Sequence, residues 1–143
     1  MQPISIERVS TMDSRTIEQV RADFDDSDWQ AERITEFLSD KNNILLAAKT
    51  ADRIVGLLVA HRLARLDSQR AQVLLYEIDV LPGLQKRGIA SAMIERLKEL
   101  AQQVGACEVW VVTNKSNEPA MRLYRSTGGT AKQDDDVVFE YKL

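Results

Sequence analysis

The stretch Val73–Ile94, VLLYEIDVLPGLQKRGIASAMI, decides how the chain is read. It is apolar and rich in strand formers through Val80, breaks at Pro82-Gly83, and becomes helical from about Gly88, so it reads as strand, turn and helix start. A helix N-terminus leaves backbone N–H groups unpaired and carries the positive end of the helix dipole, which together hold phosphate oxygens. Gly88 and Ala90 keep the backbone bare enough for a pyrophosphate to come close, while Gln85, Lys86 and Arg87 add donors and charge. Neither the G-x-x-x-x-G-K-[ST] loop nor the three glycines of a dinucleotide fingerprint is present. Taken alone, the segment has a competing reading as a tight turn with a solvated Lys86 and Arg87.

Working outward, Ile89, Ala90, Met93, Ile94, Leu97, Leu100, Ala101 and Val104 form one apolar helical stripe, which Gly105 ends. Cys107–Thr113 reads as a strand, and the strand–helix–strand unit predicts a right-handed crossover with parallel pairing. Pro119 suits a helix first turn, followed by Ala120, Leu123, Tyr124 and Thr127 on one face and a stop at Gly128-Gly129. Val137–Tyr141 reads as a final strand. Upstream, Ile4, Ile6 and Val9 mark a first strand, and Asp13 or Ser14 caps a helix carrying Ile17, Val20 and Phe24. A second short helix runs from Trp29 towards Ser39-Asp40. Ile44–Ala48 and Ile54–Leu63 form an antiparallel hairpin about Thr50–Arg53. The expected class is α/β: a central mixed, twisted sheet with helices on both faces, in a single domain over residues 1–143.

Length and composition set the bounds. The chain has 143 residues, 44% hydrophobic and 29% charged, as in a soluble globular domain. Its net charge of −3, from 19 basic and 22 acidic residues, disfavours a nucleic-acid binder and favours a cationic partner. Acidic residues gather at Asp23, Asp25, Asp26 and Asp28 and again at Asp134-Asp135-Asp136, as solvated loops or as contacts for ammonium groups. No apolar run approaches the roughly 18 residues of a membrane helix and Met1–Glu7 lacks signal-peptide features, so no membrane partner and a cytoplasmic location are expected. The one cysteine, Cys107, reads as a buried structural thiol. The one histidine, His61, reads as a strand residue, and no Cys/His cluster suggests a metal.

Gln85-x-x-Gly88-x-Ala90 matches the [Gln/Arg]-x-x-Gly-x-[Gly/Ala] loop of the GNAT acetyltransferase superfamily, and Asn117 to Gly128 resembles its Asn-x-x-Ala-x-x-Leu-Tyr-x-x-x-Gly pattern. With these motifs at their proper separation and the element order above, the chain resembles GNAT enzymes over essentially its whole length. The resemblance implies the GNAT fold and acetyl-coenzyme A as cosubstrate without a metal. It implies a cofactor site of Ile78, Asp79 and Val80 on the strand, Gln85, Lys86, Arg87, Gly88, Ile89, Ala90 and Ser91 at the loop, and Asn117, Ala120 and Tyr124. Tyr76-Glu77-Ile78-Asp79-Val80, Glu118-Pro119-Ala120 and Phe139-Glu140-Tyr141 are similar to aminoglycoside 3-N-acetyltransferases. That narrower likeness implies a small polycationic amine as partner, held by Asp25, Asp26, Asp28, Glu77, Asp135 and Glu140, and is compatible with a homodimer.

Acetyl transfer from a thioester to an amine needs a deprotonated amine, a held carbonyl, a stabilised oxyanion and a proton for the leaving thiolate. Glu77 and Glu140 are the candidates to take the amine's proton. Glu77 stands in an apolar strand, where burial would favour a carboxylate that accepts a proton; pairing to Arg62 or Arg70 is the alternative. Asp79 shares its face by alternation unless a bulge intervenes. The family likeness implies that this strand splays from its neighbour, that the Val80 N–H faces the thioester oxygen, and that Tyr124 protonates the thiolate. A core tyrosine beside Leu123 is the competing reading. Asn117 positions the cofactor or caps its helix. Attack is direct, in a ternary complex, so Cys107, Ser91 and Ser126 have no nucleophilic role. Other acceptors, such as a protein amine, a polyamine or an amino-acid-like metabolite, remain open, as does a non-catalytic coenzyme A binding module.

Overall fold

The computed structural model describes residues 2–24, 28–131 and 135–143. They divide into two compact units, Met1–Val112 and Thr113–Leu143. The first unit runs β1 (Ser5–Arg8), α1 (Ser14–Asp23), α2 (Ala31–Ser39), β2 (Asn43–Lys49), β3 (Ile54–Leu63), β4 (Ala71–Val80), a 3₁₀ turn (Pro82–Leu84), α3 (Ile89–Gln103) and β5 (Ala106–Trp110). The five strands lie side by side in chain order. Pairing is antiparallel from β1 to β4, and β5 joins β4 in parallel across the α3 crossover. The mixed α/β fold expected from the sequence is what the chain adopts.

Local chemistry accounts for the element ends. Asp13 caps α1 by accepting from the Thr16 amide at 2.8 Å, and Ile17 and Val20 turn to the core. Thr50 closes the β2–β3 turn, its amide donating to the Arg53 carbonyl at 3.0 Å. Gly105, at φ 79°, lets the chain leave α3 through the left-handed region. Ile44–Ala48 and Ile54–Leu58 are buried without interruption, the mark of strands covered by helices on both faces. At Gly56 a β-carbon would lie 2.9 Å from Met93 Cε and 3.2 Å from Ala48 Cβ, so α3 packs directly on bare backbone there.

β4 carries one irregularity that matters for the site. Val59 pairs with Glu77 and Ala60 with Leu75, so Tyr76 has no opposite residue. Ala71, Val73 and Leu75 are buried before this bulge and Val80 after it, so the inward parity of the strand changes there. The bulge precedes both Glu77 and Asp79, which remain on the alternation expected of them.

Three expectations are corrected. Cys107 is exposed, because β5 lies at the sheet edge and turns Ala106, not its neighbour, to the core. β5 also ends at Trp110, short of the expected Thr113. In the second unit, Val137–Tyr141 forms no strand, and Phe139 and Tyr141 are 79% and 87% exposed. Strand-forming residues become a strand only when a neighbour takes up their backbone hydrogen bonds. That unit holds α4 (Glu118–Ser126), with Pro119 in its first turn and the Asn117 side chain accepting from the Ala120 amide at 3.2 Å.

Candidate active site

The turn between β4 and α3 is built on two positive φ angles, Lys86 at 60° and Gly88 at 82°. The first helical hydrogen bond is Ala92 N to Gly88 O at 3.0 Å, so the amides of Ile89, Ala90 and Ser91 precede any intrahelical acceptor. A β-carbon placed on Gly88 would meet no atom within 4 Å, which leaves the approach to these amides open. Lys86 and Arg87 are exposed beside them. Unpaired donors, the α3 dipole and two cations suit the pyrophosphate of a coenzyme A. Gln85 turns back instead of outward, its Nε2 donating to the Val80 carbonyl at 3.1 Å.

β4 and β5 pair only from Ala71 to Leu74, and beyond that point β4 has no β5 partner. The Leu81 amide donates to the Val55 carbonyl at 3.0 Å. Alternation along the strand therefore turns the Val80 N–H and C=O away from β3, towards the edge that β5 has left. Ile78 shares that orientation. The splayed strand implied by the family likeness is thus present in the first unit.

On the β3–β4 surface a cavity of about 280 Å³ is lined by Asp28, Trp29, Gln30, Arg33, Ile34, Phe37, Leu45, Val59, His61, Tyr76 and Glu77. The bulge is what brings the adjacent Tyr76 and Glu77 onto one cavity, since neighbours on a regular strand face opposite sides. Glu77 is exposed and, among the described residues, has no ion pair. This corrects both the expected desolvation and the pairing alternative: the Arg62 Nε donates to the Val104 carbonyl at 2.9 Å instead. Asp28 is engaged, accepting from Gln30 Nε2 and Arg33 Nη2, each at 3.0 Å. Those hydrogen bonds, with the Arg33 charge, hold its carboxyl below the usual range.

His61 lies on β3, as its reading as a strand residue expects, and its ring also lines the cavity, which that reading did not include. Its Nδ1 lies 3.0 Å from Asn43 Oδ1, and its ring stands edge-on between Phe37 and Tyr76 at 5.8 and 5.7 Å. Asn43 and His61 are register partners in the β2–β3 hairpin; counting back from the Thr50–Arg53 turn would have paired Asn43 with Ala60, and the register shift at Ala48/Lys49 moves its partner to His61.

Of the remaining expected residues, Asp79 is exposed on β4 and Ile78 half-buried. Asn117, Ala120 and Tyr124 belong to the cap and body of α4 in the second unit, where burial raises the Tyr124 phenol above its ordinary value. Asp135 and Glu140 are exposed in that unit. Asp25, Asp26 and Asp134 lie outside the described residues. Among the described residues no group of three or more His, Cys, Asp or Glu side chains is placed to hold a metal, and no helix is long and apolar enough to cross a membrane.

Residues 10–128 match the Acetyltransferase (GNAT) family, and the chain belongs to it. It is similar to an uncharacterized N-acetyltransferase of Mycobacterium tuberculosis, 34% identical over 107 residues that cover 75% of this chain and 65% of the relative. The chain thus spans about two thirds of that relative's length. Among solved structures it is similar to an aminoglycoside acetyltransferase from an uncultured soil metagenomic sample, in complex with trehalose, with TM-score 0.83, 26% identity, and coverage of 98% and 96% of the two chains. The same enzyme is known in complex with sisomicin. An aminoglycoside N-acetyltransferase in complex with coenzyme A shares the fold at TM-score 0.77 and 18% identity, over 99% of this chain and 96% of that one.

Proposed function

We propose that this chain, as one GNAT domain over residues 1–143, moves an acetyl group from acetyl-coenzyme A to a primary amine of a small polycationic substrate, with an aminoglycoside as the acceptor. The observation that carries this is on β4: the strand loses β5 after Leu74 and changes parity at Tyr76. One strand thereby offers a carboxylate to the cavity and a backbone donor to its departing edge.

In this reading Gln85 to Ser91 hold the pyrophosphate and the β4 edge from Ile78 through Asp79 to Val80 receives the pantetheine arm. The Val80 N–H meets the thioester oxygen; a backbone donor aimed at developing charge is worth about 3 kcal/mol. Glu77 and Glu140 hold the substrate's ammonium group or take its proton, Tyr124 protonates the leaving thiolate, and Asn117 and Ala120 position the cosubstrate. Asp25, Asp26, Asp28 and Asp135 supply the field that gathers a polycation, Asp28 with its charge partly offset by Arg33. No metal takes part, the partner is a small molecule and neither nucleic acid nor membrane, and the setting is a cytoplasmic enzyme, alone or as a homodimer. The likeness to acetyltransferases in complex with an aminoglycoside supports the acceptor class; Glu118-Pro119-Ala120 and Glu140 are the residues similar to 3-N enzymes.

A second reading is favoured by the cavity walls. Trp29, Ile34, Phe37, Leu45 and Val59 are apolar, and Glu77 is its one unpaired carboxylate among the described residues. Such walls suit an amine carried on an apolar body, the amino-acid-like class of acceptor. A thiol-release assay with acetyl-coenzyme A across aminoglycosides, polyamines, peptides and arylalkylamines decides between the two, and NMR of the product assigns the acetylated position.

A further inference from the structure

From the hydrogen bonds around the only histidine, we infer that His61 is the base that takes the proton from the acceptor ammonium, and that Asn43 is the residue that readies it. The inference rests on the reading of the cavity as the acceptor site. The Asn43 Nδ2 donates to the Phe37 carbonyl at 3.0 Å, and a carbonyl only accepts, so the orientation of the amide is fixed. Its Oδ1 therefore faces His61 Nδ1 at 3.0 Å, and Nδ1 must carry the hydrogen. Nε2 is left with its lone pair.

That lone pair is available. His61 Nε2 has no hydrogen-bond partner among the described residues, yet no buried side-chain nitrogen or oxygen among them lacks one, so Nε2 is reached by solvent. The ring forms part of the cavity wall and is held edge-on by Phe37 at 76° and Tyr76 at 72°, both of which line the same cavity. Tyr76 and Asn43 touch the ring, and the charged groups that line the same cavity are Glu77 from β4 and Asp28 and Arg33 from the start of the α2 region. Asp28 and Arg33 are bound to each other, so Glu77 is the unpaired carboxylate of the cavity among the described residues.

The proton balance is simple. An N–H bond of the acceptor ammonium breaks and an Nε2–H bond forms, giving imidazolium and a neutral amine. The amine nitrogen bonds to the thioester carbonyl carbon, the carbon–sulfur bond breaks, and the second proton of that nitrogen ends on the departing sulfur. His61 then returns its proton to solvent. Throughout, the Nδ1–H remains on Asn43, which makes Asn43 a positioning residue.

Because the chain has one histidine, a long-range ¹H–¹⁵N spectrum of the labelled protein reads this tautomer without assignment. The neutral ring is expected as Nδ1–H in the wild type, moving towards Nε2–H in Asn43→Leu. In thiol release with sisomicin, spermidine and phenethylamine, His61→Gln is expected to lower kcat/KM for the best acceptor by about 100-fold or more and to remove the acid limb of the pH profile. Acetyl-coenzyme A affinity by calorimetry should stay as in the wild type. If His61→Gln fails to bind acetyl-coenzyme A, the test passes to Asn43→Leu and to the wild type, whose kinetic acid limb must coincide with the imidazole titration seen by NMR. An Nε2–H ring in the wild type, a mismatch of those midpoints, or acetylation at an unchanged rate by His61→Gln overturns this inference alone. Absence of acetylation of every amine by the wild type overturns the reading of the cavity and this inference with it.

Discussion

Gln85 and Val80 are bound to each other across the turn that joins β4 to α3, Nε2 to carbonyl oxygen at 3.1 Å. The contact spans the two halves of the proposed cosubstrate site, since Val80 ends the strand edge and Gln85 begins the loop of amides. It also satisfies the carbonyl that β5 no longer reaches. Gln85→Leu should therefore loosen the loop without unfolding the domain. A hydrogen bond of this kind contributes about 1 kcal/mol to the folded state, so Gln85→Leu is expected to lower Tm by about 2–8 °C and to weaken acetyl-coenzyme A binding by calorimetry.

Gly88 tests the cradle itself. At φ 82°, a residue with a β-carbon pays about 1 kcal/mol, and the added atom enters the open space in front of the amides. Gly88→Ala is expected to weaken acetyl-coenzyme A several-fold. Gly88→Glu, which also adds a negative charge against a pyrophosphate, should abolish binding while the circular dichroism spectrum stays native.

The helix that presents this cradle is seated by Gly56. A side chain there would collide with Met93 and Ala48, and filling a packed interior costs about 1–3 kcal/mol. Gly56→Val should lower the unfolding free energy by that amount, seen as a lower denaturant midpoint at unchanged m, and Gly56→Val with Met93→Ala should recover part of it.

What the sequence made legible is what local rules encode. Asp13 as a cap, Gly105 as a helix stop and Gly88 in the loop each act within a few residues of themselves. The bulge at Tyr76 is carried by no glycine or proline, so its effect on the cavity was hidden until strand register was known. His61 depended on three separate elements: a carbonyl in α2 to turn an amide in β2, and that amide to set a ring in β3. Cys107 and Val137–Tyr141 were misread for a related reason. Burial on an edge strand, and strand formation near a chain end, are properties of neighbours and not of the residues themselves.

Tyr124 carries a pH signature with a definite sign. Burial raises its phenol above the ordinary value of 10.0, so the folded state holds that proton more tightly than the unfolded chain does. The stability linked to it is complete below pH 10 and is lost as pH rises through the folded value. Tm is therefore expected to fall less steeply above pH 10 in Tyr124→Phe than in the wild type. If the phenol also protonates the thiolate, the same variant loses about 10-fold to 1000-fold in kcat with acetyl-coenzyme A affinity retained.

The acceptor class separates by charge. An aminoglycoside bears several ammonium groups, so its affinity should fall with added salt, and Glu77→Gln should depress kcat/KM by removing the unpaired carboxylate of the cavity. Asp28→Asn should cost little, because Arg33 already occupies that carboxylate at the protein surface. An amine on an apolar body would behave differently: salt would matter little, while Trp29→Ala or Phe37→Ala would raise KM by stripping the cavity wall. Initial-rate thiol release with sisomicin and with phenethylamine, each at two salt concentrations and in these four variants, is the measurement. A salt-sensitive preference for sisomicin supports the polycation, and a salt-insensitive preference for phenethylamine assigns the cavity to the apolar amine instead.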